Sequence, residues 1–407
     1  MKTNFAFLLV LLYLNSSNQQ CLTENDNQPP SATTSLYSGQ QLFSFTLLNA
    51  INHHFPTENI FFSPYTTYRG LLLAYFLSNG QTEFELKNIL ALKSTQSKID
   101  FFHAYQLDKL VTRLHKSNSS YELADVNKIY VSDDIAIREC VGTLFLDELT
   151  QISFKPDPEN ATVAINEWVK GQSHNLIKNI LPQKSFNVNT TLALVNAAYF
   201  EGKWDRQFNR SETRVEVFYM SPSSTKLVPM MYAEDYFNHE VSVDLQAHIL
   251  EMPYEGTEIS MYIILPPFTN YEDTLKRLNV ENFKKMVASN RLLSKKVRVS
   301  LPKFSMEETI DLRPVFESLG ASKLFKSGAD FSVLSKEENV YFSNGFHKAK
   351  ILVSEQGAAQ SGRQNLVWRI GNDGDQVPAQ FKCNRPFIFV IYKKSTHTIL
   401  FIGMYRK

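Results

Sequence analysis

Between Gln41 and His53 the apolar residues Leu42, Phe45, Leu48 and Ile51 recur at helical spacing, which predicts an amphipathic helix. Ser63 followed by Pro64 sets a hydroxyl at a helix N-cap and a proline in the first turn, so a second helix is expected from Pro64 to about Ser78. A third is expected from Val163 to Ile180. There Ile165, Trp168, Val169, Leu176, Ile177 and Ile180 form one stripe, while Asn166, Glu167 and Lys170 face water. The pattern then changes: 192–200, 248–252, 259–265 and 297–304 are short runs rich in β-branched and aromatic residues, bounded by Pro, Gly and Asn, and read as strands. Phe387 to Tyr392 and Thr398 to Met404 read as a hairpin turning through Lys393, Lys394, Ser395 and Thr396. Helices dominate the first 180 residues and strands the remainder, which gives an α+β class with large, mostly antiparallel sheets.

The two ends of the pattern differ from its middle. Lys2, an apolar run from Phe5 to Leu14 and a polar stretch from Asn15 to Gln20 read as a secretory signal over residues 1–20. The run is about half the ~20 residues a membrane span needs, so export to the extracellular space is the expectation. Residues 21–35, rich in Asn, Pro, Ser and Thr, read as a mobile tail, and 36–407 as one domain. Export makes Asn118, Asn160, Asn189 and Asn209 glycosylation candidates, since each begins an Asn-x-Ser/Thr triplet. Only three cysteines occur, too few for a disulfide scaffold, and a Cys140–Cys383 bridge and two buried thiols both stay open. With 42 basic against 41 acidic residues, net charge gives no argument for nucleic acid or membrane as a partner.

The chemistry expected of an enzyme is missing. No G-x-S-x-G elbow, H-E-x-x-H, phosphate-cradling glycine loop or C-x-x-C occurs, so no catalytic residue, metal or cofactor is assigned. His53, His54 and His115 read as solvated helix ends. Lys109, Arg113, His115 and Lys116 form a basic cluster that fits either a polyanion contact or an ordinary solvated face. The unusual feature is Ser354 to Gln380, a polar, glycine-bearing interruption between apolar strands. An irregular loop of that length inside a compact domain is usually functional or disordered.

Several segments, in order, resemble the serpins, the serine protease inhibitor family. Asn59-Ile60-Phe61-Phe62-Ser63-Pro64 is similar to the family's second-helix entry, and Leu194-Val195-Asn196-Ala197-Ala198-Tyr199-Phe200-Glu201-Gly202-Lys203-Trp204 to its diagnostic central strand. Leu301-Pro302-Lys303-Phe304, Ala329-Asp330-Phe331-Ser332, His347-Lys348-Ala349, Glu355-Gln356-Gly357, Asn384-Arg385-Pro386-Phe387 and Ile402-Gly403 continue the series, and the closing Ile402 to Arg406 looks arthropod-like. The resemblance implies a single domain of three β-sheets and about nine helices with an exposed reactive loop at about 355–380. It implies a monomeric inhibitor of an extracellular serine protease, with the loop inserting into the largest sheet after cleavage, and Arg369 in that loop points to a trypsin-like partner. Ser63, Asn196 and His347 match the family's shutter beneath that sheet, and Trp204 matches the residue at its top.

The hinge implied by the resemblance is Glu355, Gln356, Gly357, Ala358, Ala359, Gln360, Ser361, Gly362, Arg363 and Gln364. If alternate side chains enter the interior, Ala358, Gln360, Gly362 and Gln364 go inward. A buried amide without a partner costs about 1–3 kcal/mol, so Gln360 and Gln364 threaten slow insertion. The reactive bond is assigned to Arg369-Ile370, because a guanidinium suits a trypsin-like pocket, with Gly371-Asn372 as the alternative register. A non-inhibitory carrier, storage or binding protein is the rival reading, and a hydrolase a weaker one.

Overall fold

The computed structural model describes residues 32–116, 121–288, 292–357 and 377–407. The first helix, α1 (Ala32–His54), begins earlier than predicted. Residues 32–35, expected in the tail, are helical, and Ala32 and Ser35 are buried. Phe45, Leu48 and Ile51 face the core as expected, but Leu42 is 51% exposed, its place taken by Phe43 and Leu47. Then come β1 (Ile60–Phe62), α2 (Pro64–Leu77), α3 (Gly80–Ile89), α4 (Lys98–Lys116), β2 (Tyr121–Ser132), α5 (Glu139–Leu144), β3 (Leu149–Ile152) and α6 (Pro158–Gln172). The Ser63 hydroxyl caps α2 by accepting the Thr66 N–H, and Asp157 caps α6 from the Glu159 N–H.

The helix predicted for 163–180 starts earlier and stops sooner. His174, Asn175 and Asn179 adopt left-handed backbone angles, φ 48°, 65° and 51°, which no continuing α-helix accommodates. Ile177 and Ile180 are buried all the same, because the irregular linker lies flat on a sheet.

The second half supplies β4 (Leu192–Gly202), β5 (Arg214–Ser221), β6 (Ser224–Ser242), β7 (Ala247–Pro253), β8 (Ile259–Leu265), α7 (Tyr271–Arg277), α8 (Val280–Val287), β9 (Leu293–Pro302), β10 (Phe304–Asp311), α9 (Leu312–Ser318), β11 (Phe342–Val353), β12 (Ala379–Lys382), β13 (Phe387–Lys393) and β14 (Thr398–Tyr405). The run predicted at 297–304 is therefore split at Lys303 into two strands. Gln380, expected in the loop, lies in β12.

Five strands form one sheet in the order β10-β11-β4-β2-β3, and nine form another in the order β1-β14-β13-β8-β7-β6-β9-β12, with β5 on β6. The three sheets expected thus make two hydrogen-bonded networks, since the 19-residue β6 runs unbroken through what would be two smaller sheets. The class is α+β, with nine α-helices among the described residues.

Three apolar clusters hold these layers together. Helices α1, α2 and α4 pack on one side of the nine-stranded sheet, the two sheets pack on each other, and α6 with its linker covers the outer face of the five-stranded sheet. Cys383 is a free buried thiol and Cys140 is disulfide-bonded, so the Cys140–Cys383 bridge is not formed. The chain's third cysteine, Cys21, lies outside the described residues.

Candidate functional site

Two neighbouring pairs of the five-stranded sheet run parallel, β2–β3 at its edge and β11–β4 at a seam inside it. At that seam β11 and β4 pair without a break from Asn344–Ala193 to Lys350–Tyr199, after a bulge between Phe342 and Asn344, with antiparallel partners β10 and β2 on either side. Parallel ladders are slightly weaker per residue than antiparallel ones. Along this seam His347 stands directly opposite Asn196.

Both side chains are fully buried, and a polar cluster beneath the seam satisfies them. The His347 Nε2 accepts the Ser63 backbone N–H at 2.9 Å, so its proton sits on Nδ1 and is donated to Asn196 Oδ1. That oxygen also accepts the Thr66 hydroxyl at 3.0 Å, and the Asn196 amide donates to Asn127 Oδ1 on β2. Ser63 Oγ donates to the Leu400 carbonyl at 2.7 Å. The seam is thus tied to the first turn of α2 and to β14. Burial pulls the His347 pKa down to about 3, which keeps the ring neutral.

At the end of β11 the chain reverses through Ser354 to Gly357, whose backbones exchange hydrogen bonds of 2.9 and 3.1 Å. Trp204 fastens this turn: its indole N–H donates to the Ser354 carbonyl at 3.0 Å and its backbone N–H to the Gln356 carbonyl at 2.9 Å. Glu355 is held by the Thr213 hydroxyl and Lys303 Nζ, each at 3.0 Å. Burial raises the Glu355 pKa, but its backbone hydrogen bond, Lys303 and Thr213 outweigh that and hold it below the usual carboxylate value. Gly357 then forms an antiparallel bridge with Lys203, the residue just beyond β4. Its φ is +125°, and a Cβ there would stand 2.2 Å from the Gly202 carbonyl oxygen, so only glycine fits.

The structure therefore brings Ser63, Asn196, His347, Trp204, Glu355, Gln356 and Gly357 to one seam and its mouth. Ala358, Ala359, Gln360, Ser361, Gly362, Arg363, Gln364, Arg369, Ile370, Gly371 and Asn372 lie outside the described residues, as does Asn118. Asn160, Asn189 and Asn209 are exposed. In the basic cluster, Lys109 bonds both Asp147 and Glu148, and Arg113 bonds Asp147 at 2.7 Å, so these two cations are already neutralised.

A sheet with a parallel seam, a buried polar cluster under it and a turn delivering the chain to its mouth is the arrangement the sequence resemblance implies. The profile of the family described as serpin (serine protease inhibitor) matches residues 38–407. The chain is a serpin. Serine protease inhibitor 88Ea of Drosophila melanogaster is 37% identical to it, covering 95% of this chain and 94% of that protein. The leukocyte elastase inhibitor of Equus caballus is 31% identical over 89% of this chain and 97% of its own length. The solved structure of Serpin48, described as a highly specific serpin in the insect Tenebrio molitor, superposes with a TM-score of 0.78 at 28% identity, covering 92% and 98% of the two chains.

Sequence reading of this serpin missed Thr66, Asn127 and Thr213. Asn127 left no distinct trace, because β2 also carries Glu122, Asp125 and Lys128. Thr213 left none, because its role depends on a partner far away in the chain.

Proposed function

We propose that this serpin is a secreted suicide-substrate inhibitor of trypsin-like serine proteases, cleaved at Arg369-Ile370. The observation that carries the reading is the Gly357–Lys203 bridge at the mouth of the β11–β4 seam. A strand continuing from Gly357 runs opposite to β11, hence antiparallel to β4 as well, and the bridge is the first rung of the ladder it would extend. Entry replaces one parallel ladder with two antiparallel ones.

The protease serine attacks the Arg369 carbonyl, an acyl-enzyme ester forms, and Ile370 departs as a free amine. The segment from Ala358 onward enters the seam and carries the acylated enzyme across the domain. About ten added backbone hydrogen bonds at roughly 1 kcal/mol net each, plus apolar burial, favour entry over the cost of the inward glutamines. Arg369 supplies the charge that a carboxylate-based primary pocket binds through paired hydrogen bonds. The signal at 1–20 and the sequons at Asn118, Asn160, Asn189 and Asn209 support secretion as a glycoprotein. Gln360 and Gln364 favour the second reading, a non-inhibitory carrier, storage or binding protein.

Incubation with trypsin separates the two. The expected result is an SDS-resistant complex with an N-terminal sequence at Ile370 in the released peptide, and a cleaved form whose thermal midpoint rises by more than about 10 °C. Cleavage without a complex across several trypsin-like proteases would sink the inhibitor reading. A released peptide beginning at Asn372 would move the reactive bond to the alternative register.

A further inference from the structure

Away from the seam, one group of side chains carries positive charge with nothing to balance it. His239 of β6 pairs with Leu250 of β7 and Leu293 of β9, and His248 of β7 pairs with Val241, one diagonal step away. Directly paired residues of an antiparallel ladder share a face, so both rings lie on the side that packs Phe237, Leu250 and Phe381. The two ring centroids are 5.8 Å apart, and the Phe381 ring of β12 meets His239 edge-on at the same distance.

Two cations join them. Lys295, exposed at its position on β9, pairs with Phe237 and so shares that face. Arg385 donates through Nε to the Pro266 carbonyl at 2.7 Å, one residue past Leu265, which is the direct partner of His248 on β8. Burial lowers the pKa of both rings most; His248 and Lys295 lower that of His239 further, and Arg385 that of His248. No carboxylate acts on either ring. Glu251 and Glu240 belong to the opposite face, where Lys394 and Ser260 hold Glu251, and Asp235, four residues along β6, is bound by Arg206. The Cys383 thiol near Arg385 is kept neutral by burial.

His239 is 5% exposed, and neither of its ring nitrogens has a hydrogen-bond partner among the described residues. An imidazole carries at least one N–H, so a donor is left in the interior without an acceptor. Lys295 and Arg385 beside it are donors only. What this cluster lacks is an acceptor with negative charge.

We infer that His239, His248, Lys295 and Arg385 form a binding site for a tetrahedral oxyanion, either a free ion or a sulfate or phosphate group on a larger ligand. Entry is from the side of Lys295, which is exposed, and His248, which is only partly buried. The oxyanion accepts from the imidazoles and neutralises the two cations. A protonated ring binds it more strongly than a neutral one, so affinity rises as pH falls.

The test is the thermal midpoint of the full chain in a zwitterionic buffer, with sodium sulfate as the probe and sodium chloride at matched ionic strength as the reference. Low millimolar sulfate is expected to raise the midpoint by several degrees at pH 6, and by less than half as much at pH 8. His239→Phe, which fills the same space without a donor, should remove most of the rise. Lys295→Gln, a change at an exposed position that leaves the fold intact, should weaken sulfate binding several-fold at pH 6. No rise at pH 6, or a rise that is equal at both pH values and unchanged in both variants, would overturn the site. Dextran sulfate at equal sulfate concentration separates the two sources. A larger rise that Lys295→Gln removes assigns the site to a sulfate group on a chain, and a rise no larger assigns it to the free ion.

Discussion

Two buried histidines make acid sensitivity a property of individual residues here. His347 is pulled down to about 3 by burial, and His239 to about 4 by burial first and then by His248 and Lys295. Neither His239 nitrogen has a hydrogen-bond partner among the described residues, and the ring lies 5.8 Å from both His248 and Phe381 of β12. Above the ordinary histidine value near 6.5 both states are neutral and the two residues cost nothing. Below it the unfolded chain takes up protons that the folded chain refuses, so stability falls with pH until the folded values are reached, by about 1.4 kcal/mol per pH unit per histidine. The thermal midpoint should fall between pH 7 and pH 5, and fall less in His239→Phe. Parallel pH curves for the two proteins would remove His239 from the account.

At the scale of elements, α6 and its linker act as the cover of the seam's strands. Ala161, Ile165 and Val169 join Ile177, Ile180 and Phe186 in packing on Val195, Ala197 and Tyr199 of β4 and on Phe346 of β11. The linker is pinned by Asn166, which bonds the Leu181 N–H and carbonyl, and by Lys348, which donates to the Lys178 carbonyl at 2.7 Å. Ile165 is fully buried, so Ile165→Ala should cost about 2–4 kcal/mol in urea unfolding of the uncleaved protein. A loss below about 1 kcal/mol would show that the helix collapses onto the gap. The elements legible in sequence were those buried almost throughout, which read as dense apolar runs with clear ends: α2 with its Ser63-Pro64 start, and β4, β8 and the terminal hairpin. Periodicity overran at 173–180 because Leu176, Ile177 and Ile180 keep an apolar spacing while the backbone turns left-handed. It missed β2, whose burial alternates only in part.

For the whole molecule, the proposed inhibition requires the β11–β4 seam to part and take in a further strand. The seam is closed by a parallel ladder, and its opening breaks the His347–Asn196 bond beneath it. A synthetic peptide with the sequence of residues 358–370 should therefore occupy the seam of the uncleaved protein. The expected result is a raised thermal midpoint and loss of complex formation with trypsin, with a scrambled peptide doing neither. A midpoint unmoved by saturating peptide would count against an accessible seam.

Sequence by itself determined the α+β class, the serpin resemblance, the positions of Ser63, Asn196, Trp204 and His347, and the choice of Arg369 as the proposed bait residue. Those follow from local signals: hydrophobic period, cap chemistry and ordered motifs. Only the tertiary structure decided that β6 joins two sheets, that Lys109 and Arg113 are neutralised by Asp147 and Glu148, and that Glu355 is clasped by Thr213 and Lys303. It also decided the rung at which Gly357 meets Lys203. The reason is physical: strand register and ion pairing between residues far apart in the chain are set by how whole faces pack, and no local pattern encodes that choice.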